Sequence, residues 1–413
     1  MDIPGLPARK AALRLLDAVL RRGETLEQAG PSALQGIRSD ADRALARALA
    51  GEALRWLTDL DGLIDSATKQ RLPDDAKARG ALRLMLAGWL RLETPGHAVI
   101  ATALPLLAGG PRRLAHGVFS TLARQAASLP ATPTLPGAVA ARWGERAEAV
   151  AAALALPPPL DLTLRDPAET ARWCEQLGGI SLLPGHVRLP RGEAIERLAG
   201  FKDGAWWVQD LAASLPARLL GMGEGKAVLD LCAAPGGKTL QLAASGWQVT
   251  ALDASTKRLD RLRENLARCG LAADVVQADV LAWVPPQRFD AVLLDAPCTA
   301  TGTCRRHPDV LHRIGARQIG EMAELQASLL ARAASWLAPG GRLVYAVCSL
   351  EAEEGEAQVP AVGLPVDRIA ADELPPGLAP SPEGWLRTDP GMLADTGGLD
   401  GFFIARWRAP ESP

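Results

Sequence analysis

Two stretches of the sequence carry thiols where chemistry can use them. Asp295–Asp309 reads DAPCTATGTCRRHPD and Tyr345–Glu356 reads YAVCSLEAEEGE. Each follows or overlaps an apolar run, Ala291–Leu294 and Leu343–Val347, of the kind that forms a strand buried on both faces. Such strands deliver Cys298 and Cys348, with Asp295 beside the first, to one edge of a sheet. Only a few per cent of a free thiol is ionised at neutral pH, so a working thiolate is expected in electropositive surroundings. Cys174, Cys232, Cys269 and Cys304 read as inert small hydrophobes.

A third stretch points to what the thiols work with. Residues 228–239 read VLDLCAAPGGKT, an apolar run that enters a glycine-containing loop and then a helix. Gly236 and Gly237 let backbone approach a ligand at the carboxyl end of a strand, over a helix N-terminus. The tail resembles a phosphate-binding P-loop, but that loop needs glycine where Cys232 stands, and Pro235 removes a backbone donor. Acidic residues fit a nucleoside-type methyl donor better. Asp253 ends the next apolar run, about 20 residues on, where a carboxylate holds ribose hydroxyls. Asp279 follows the third run, placed for an adenine edge. The plainer reading of each is a helix N-cap.

A methyl donor and a thiol imply one reaction in particular. Carbon 5 of cytosine is a poor nucleophile until a thiolate adds at carbon 6 and makes the ring enamine-like. Asp295 would bond the nitrogen edge of the ring and supply a proton, while Cys298 assists loss of the carbon-5 proton and release. Enzymes acting on DNA cytosine use a Pro-Cys thiol, and Pro297-Cys298 is present; the additional Cys348 shifts the balance to RNA. The run Arg305-Arg306-His307-Pro308-Asp309 offers RNA phosphates a basic cluster or is a solvated loop. Trp206-Trp207 stacks bases or packs in the core.

The elements that must position these residues are legible as a change of period. Residues 8–128 read as all-helical. Leu13, Leu16, Val19 and Leu20 share a face, as do Leu45, Leu49, Ala53 and Leu57, then Leu82, Met85, Leu86, Trp89 and Leu90. Ser39-Asp40 reads as a helix start. Leu129–Gly137, LPATPTLPG, reads as a proline-rich linker. A helix over 138–156, a strand over Leu160–Leu164 and a helix around Glu169–Leu177 follow. From 216 on, apolar runs at Ala227–Leu231, Val249–Leu252, Val275–Val276, Ala291–Leu294 and Leu343–Val347 alternate with helical stretches, the pattern of a doubly wound α/β sheet. The expected division is a helical part over 1–130, an α+β connector over 138–215 and a Rossmann-type domain over 216–413.

Composition narrows the function classes. The 45 basic and 47 acidic residues leave a net charge of -2, with the excess of basic residues in the first 150, which favours a polyanionic partner there. No Cys-x-x-Cys pair occurs and there are 5 His, so no metal is expected. The apolar run near Ala149–Leu160 is broken by Pro157–Pro159 and cannot span a bilayer. Reduced thiols and a start without a long apolar run point to the cytoplasm and no membrane.

DLCAAPGGKT, DAPC and YAVCS together resemble the Nol1/Nop2/Sun family of RNA cytosine-5 methyltransferases. DAPCTATGTCRRHPD and GGLDGFFIARW, Gly397–Trp407, are similar to its bacterial small-subunit (16S) ribosomal RNA branch. LETPGH, Leu92–His97, and HGVFSTLAR, His116–Arg124, resemble the NusB-type RNA-binding domain fused in that branch, although HGVFSTLAR lacks the asparagine of that pattern. The resemblance implies a Rossmann-type S-adenosyl-L-methionine-dependent methyltransferase domain behind a NusB-like domain, 16S ribosomal RNA as partner, and a monomer. It implies Cys348 as nucleophile, Cys298 as releasing thiol, and Asp295, joined by Lys238, acting on the base. It implies a cofactor site of Cys232, Ala233, Ala234, Pro235, Gly236, Gly237, Lys238, Asp253, Arg258, Asp279 and Asp295, with Val208-Gln209-Asp210 nearby. A late strand, Phe402–Trp407, is expected antiparallel. The same chemistry on transfer RNA, or a non-catalytic RNA-binding assembly factor, are the alternatives.

Overall fold

The computed structural model describes residues 4–190, 192 and 194–411. Contacts divide the chain into two compact units, Met1–Leu156 with Arg306–Ile314, and Pro157–Arg305 with Gly315–Pro413.

The first unit is helical: α1 (Leu6–Arg22), α2 (Leu26–Ala33), α3 (Asp40–Arg55), α4 (Leu57–Ser66), α5 (Lys77–Leu90), α6 (Gly96–Ala103), α7 (Gly109–Arg124), α8 (Gly137–Trp143) and α9 (Ala147–Leu154). The expected stripes meet in one core around Leu16, Leu49, Leu82, Met85 and Phe119. Ser39 caps α3, its hydroxyl accepting from the Asp42 amide. The run Leu129–Gly137 is not a free linker. The Thr134 amide and hydroxyl both donate to Asp59 on α4, at 2.9 and 2.6 Å, and Leu135 is buried. A short helix from far along the chain, which linear spacing does not announce, belongs to this unit; the Nε2–H of its half-buried His312 donates to the Leu54 carbonyl at 2.7 Å.

The second unit holds two sheets. The smaller has the order β2-β1-β3, with β1 (Leu160–Leu164) antiparallel to both β2 (His186–Leu189) and β3 (Trp206–Val208). It packs with α10 (Thr170–Leu177) over Leu162, Val187, Trp173 and Trp206. Trp206 and Trp207 are buried, and their ring N–H groups donate to the Ala199 carbonyl and to Gln209. They are core, and base stacking by them is ruled out in this conformation.

The larger sheet has the order β6-β5-β4-β7-β8-β10-β9. Its strands β4 (Ala227–Leu231), β5 (Gln248–Asp253), β6 (Asp274–Gln277), β7 (Phe289–Asp295) and β8 (Leu337–Val347) are parallel. As expected for the late strand, β10 (Phe402–Arg408) runs antiparallel, between β8 and the edge strand β9 (Leu386–Thr388). Besides α10, this unit has the helices α11 (Leu211–Arg218), α12 (Gly237–Ala244), α13 (Thr256–Cys269) and α15 (Ala316–Ser335); α14 (Val310–Arg313) is the short helix of the first unit. Alternate residues of each strand serve opposite faces, so Val228, Leu293 and Val344 enter one core and Leu229, Leu294 and Tyr345 the other. Strand order reverses beside β4, where chains leave β4 and β7 in opposite directions. A crevice opens at the carboxyl ends of strands at such a point.

Candidate active site

The loop after β4 is shaped by residues that tolerate unusual backbone. Cys232 (φ 58) and Gly236 (φ 109) both lie in the left-handed region. A side chain on Gly236 would also press on Leu262 of α13, with its Cβ 3.1 Å away, so glycine keeps this backbone bare. Asp253, at the end of β5, is buried and holds the loop. Its carboxylate accepts from the Ala234 amide at 3.2 Å and the Ser255 amide at 2.9 Å, and Arg258 lies 3.5 Å from it. Arg258 also donates to the Ala234 carbonyl. The cap of α13 is Ser255, not Asp253. Each Asp253 oxygen keeps a lone pair for a further donor. Gln209 backs the loop, its amide within reach of Gly237 and bonded to Gln241 at 2.7 Å.

Asp279 heads a turn and not a helix. It is exposed, and its carboxylate accepts from the Leu281 amide, closing its own turn. Register puts it at the same edge, two residues past Gln277, the partner of Asp253.

At the ends of β7 and β8 the residues expected to carry the reaction converge. Asp295 pairs in register with Ala346, which sets Cys298 and Cys348 side by side with their sulfurs 3.4 Å apart. Lys238, on the first turn of α12, donates to Asp295 at 2.7 Å and lies 5.4 Å from the Phe402 ring. One cation thus couples the loop after β4 to the end of β7, three residues before Cys298. Glycines make the approach possible: Gly302 and Gly401 lie back to back, the Gly401 amide bonded to the Gly302 carbonyl, and a Cβ on Gly302 would collide with the Gly401 backbone while one on Gly401 would collide with Leu350.

Burial and neighbours set the protonation states. Asp230, fully buried below the loop, is pushed up to about 7 by desolvation, with the carboxylates of Asp295 and Asp253 adding to the rise and Thr239 and Lys238 opposing it. Burial and the same acidic neighbours push the Cys232 thiol up to about 12, in line with an inert sulfur. Cys298 is held well above the usual thiol range by its hydrogen bond with Cys348, by burial, and by the charges of Cys348 and Glu354. The electropositive surroundings expected for the thiols are not found at Cys298, where the fixed charge acting on it is a carboxylate.

One further expectation, the basic cluster Arg305–Asp309, needs correction. Arg305 does not face RNA phosphates. It is 2% exposed, donates to the Gly397 carbonyl at 2.7 Å, and lies 3.4 and 3.6 Å from Asp210 and Asp400. Asp309 is likewise buried, paired with Arg313 at 3.0 Å. The sequence reading also missed a set of polar residues around the thiols: Thr299, Gln326, Ser349 and Glu354, all fully buried or nearly so. The signal that could have found them lies in Thr299 and Ser349, which directly follow the two cysteines.

Two family models match separate stretches of the chain. Residues 217–408 match the family model of 16S rRNA methyltransferase RsmB/F, and residues 6–108 match that of the NusB family. Ribosomal RNA small subunit methyltransferase B of Xanthomonas campestris is 37% identical over 86% of this chain and 87% of its own length. The protein of that name from Klebsiella pneumoniae is 33% identical over 96% of this chain and 97% of its own. Among solved structures, a methyltransferase homologue from Pyrococcus horikoshii is similar with a TM-score of 0.55, at 27% identity over 66% of this chain and 94% of its own.

Proposed function

The chain belongs to the 16S rRNA methyltransferase RsmB/F family and carries a NusB domain, and from that premise we propose that it methylates carbon 5 of a cytosine in 16S ribosomal RNA through a covalent bond from Cys348 to the base. When bound, S-adenosyl-L-methionine supplies an electrophilic methyl group. The residues present fit it: a bare-backbone loop at Gly236 and Gly237, the free lone pairs of buried Asp253 for ribose hydroxyls, and a row of carboxylates for a cationic ligand.

The observation that carries the reading is the pair of sulfurs 3.4 Å apart beside the Lys238–Asp295 ion pair. A structural role needs one buried sulfur and no matched acid–base pair. In the proposed sequence the Cys348 sulfur adds to carbon 6 of the ring, and Asp295, backed by Lys238, bonds its nitrogen edge. Once Cys348 is bonded to carbon it neither hydrogen-bonds Cys298 as a thiol nor repels it as a thiolate. Two causes that hold the proton on Cys298 then disappear. Cys298 becomes easier to ionise at the stage when the carbon-5 proton must leave, and the returning electron pair expels Cys348.

Bisulfite sequencing of RNA from cells with and without the protein tests substrate and position. One cytosine of 16S RNA should lose protection without the protein; a site only in transfer RNA would overturn the substrate assignment. RNA carrying 5-azacytosine should yield a denaturation-resistant protein adduct, which a non-catalytic assembly factor cannot form.

A further inference from the structure

Glu354 sits in an acidic run, yet its side chain is fully buried. A buried carboxylate persists only where donors replace water. Here Oε2 accepts from the Thr299 amide and from Gln326 Nε2, each at 2.9 Å. Oε1 accepts from the Ser349 hydroxyl at 2.7 Å and from the Thr299 hydroxyl. The Tyr345 hydroxyl holds the Glu354 backbone carbonyl at 2.6 Å. Three segments therefore meet at one carboxylate: the residue after Cys298, the residue after Cys348, and α15.

The two cysteines do not depend on it equally. Cys348 follows directly on β8, which is flanked by β7 and β10, and its own carbonyl accepts from Gly302. Cys298 lies beyond the sheet, since the last ladder-like bond of its strand is from Ala296 to Ala346. What fixes it is on either side: Pro297, whose carbonyl accepts from Gln326 at 2.9 Å, and Thr299, bonded twice to Glu354.

We propose that Glu354 is a positioning residue that sets the Cys298 sulfur against Cys348, so that losing it impairs release of the covalent RNA more than its formation. The proposal rests on the reading of Cys348 as nucleophile and Cys298 as releasing thiol. Full-length wild type, Glu354→Ala, Glu354→Asp, Glu354→Gln and Cys298→Ala are each given a 16S RNA transcript and S-adenosyl-L-methionine. Methyl transfer is measured and the mixtures are run on a denaturing gel. Glu354→Ala is expected to lose about tenfold or more in turnover, as a displacement near 1 Å does. It should also accumulate a protein–RNA band, as Cys298→Ala does, with cofactor binding unchanged. Glu354→Asp keeps the charge but is too short to reach both loops, and should show the band even if the alanine variant fails to fold. Glu354→Gln should restore turnover. Its amide oxygen can accept from the Thr299 amide and Gln326, while its NH₂ donates to two hydroxyls that can reverse their roles.

Wild-type turnover in Glu354→Ala or Glu354→Asp would overturn the proposal. So would a loss without the band while Cys298→Ala shows it, or a glutamine variant as impaired as alanine. If Cys298→Ala itself traps no RNA, the underlying reading falls and takes the proposal with it.

Discussion

The two halves of the site are built on different plans. The cradle after β4 is one continuous segment, Cys232–Lys238, shaped by its own backbone and secured by Asp253 and Arg258. The thiol pocket is assembled from four places, around Cys298, Gln326, Cys348 and Glu354, and bound together by a buried carboxylate. A binding loop tolerates being local, because its ligand brings its own shape. Two thiols proposed to act in turn on one base need a fixed separation, and separations between strands are set by whatever lies between them.

Substitutions can break that comparison. The largest effect should be at the nucleophile: Cys348→Ala is expected to lower methyl transfer on the order of 10³-fold or more and to abolish adduct with 5-azacytosine RNA. Retained turnover would move the attack to another group. Next is the ion pair that joins the halves. Lys238→Met should cost on the order of 10²-fold in kcat with a smaller change in KM for RNA; a loss confined to cofactor binding would assign Lys238 to the cradle alone. Cys298→Ala should keep attack and lose release, so that covalent RNA persists on a denaturing gel.

Smaller effects should appear in the cradle. Gly236→Ala places a side chain in a left-handed backbone against Leu262, and should weaken cofactor binding about tenfold, from roughly 1–2 kcal/mol of strain. Isothermal titration with S-adenosylhomocysteine checks it, and unchanged affinity would show that the loop relaxes. The smallest effect concerns Asp230, pushed up to about 7 by burial. The folded protein keeps its proton through a range where the unfolded chain has lost it, so this residue's contribution to stability falls as pH rises from about 4 to 7. Asp230→Asn should flatten that part of the pH dependence of the urea midpoint; an unchanged slope would show that Asp230 is ionised in the fold.

Much of the cradle was legible because its chemistry is local. Glycine spacing, the proline and the acid at the end of the next strand all sit within one strand–loop–helix–strand passage, and helical and strand periods placed the elements around them. The thiol pair was legible by a longer route, since parallel strands must end at the same sheet edge. The supporting residues were not. Glu351 and Glu354 are buried while Glu353 between them is exposed, and no hydropathy pattern tells these three glutamates apart within four residues. Arg305 misled for the same reason: its partners Asp210 and Asp400 lie about a hundred residues away on either side.

Taken alone, the sequence determined which groups exist and which edge of the sheet they reach, because apolar period and loop chemistry act over a few residues. Only the tertiary structure decided which charges are solvated and which are buried braces, and how far apart the two sulfurs stand. Burial and pairing depend on partners brought together by the fold, and the free energy of a charge is set by those partners and not by its neighbours in the chain.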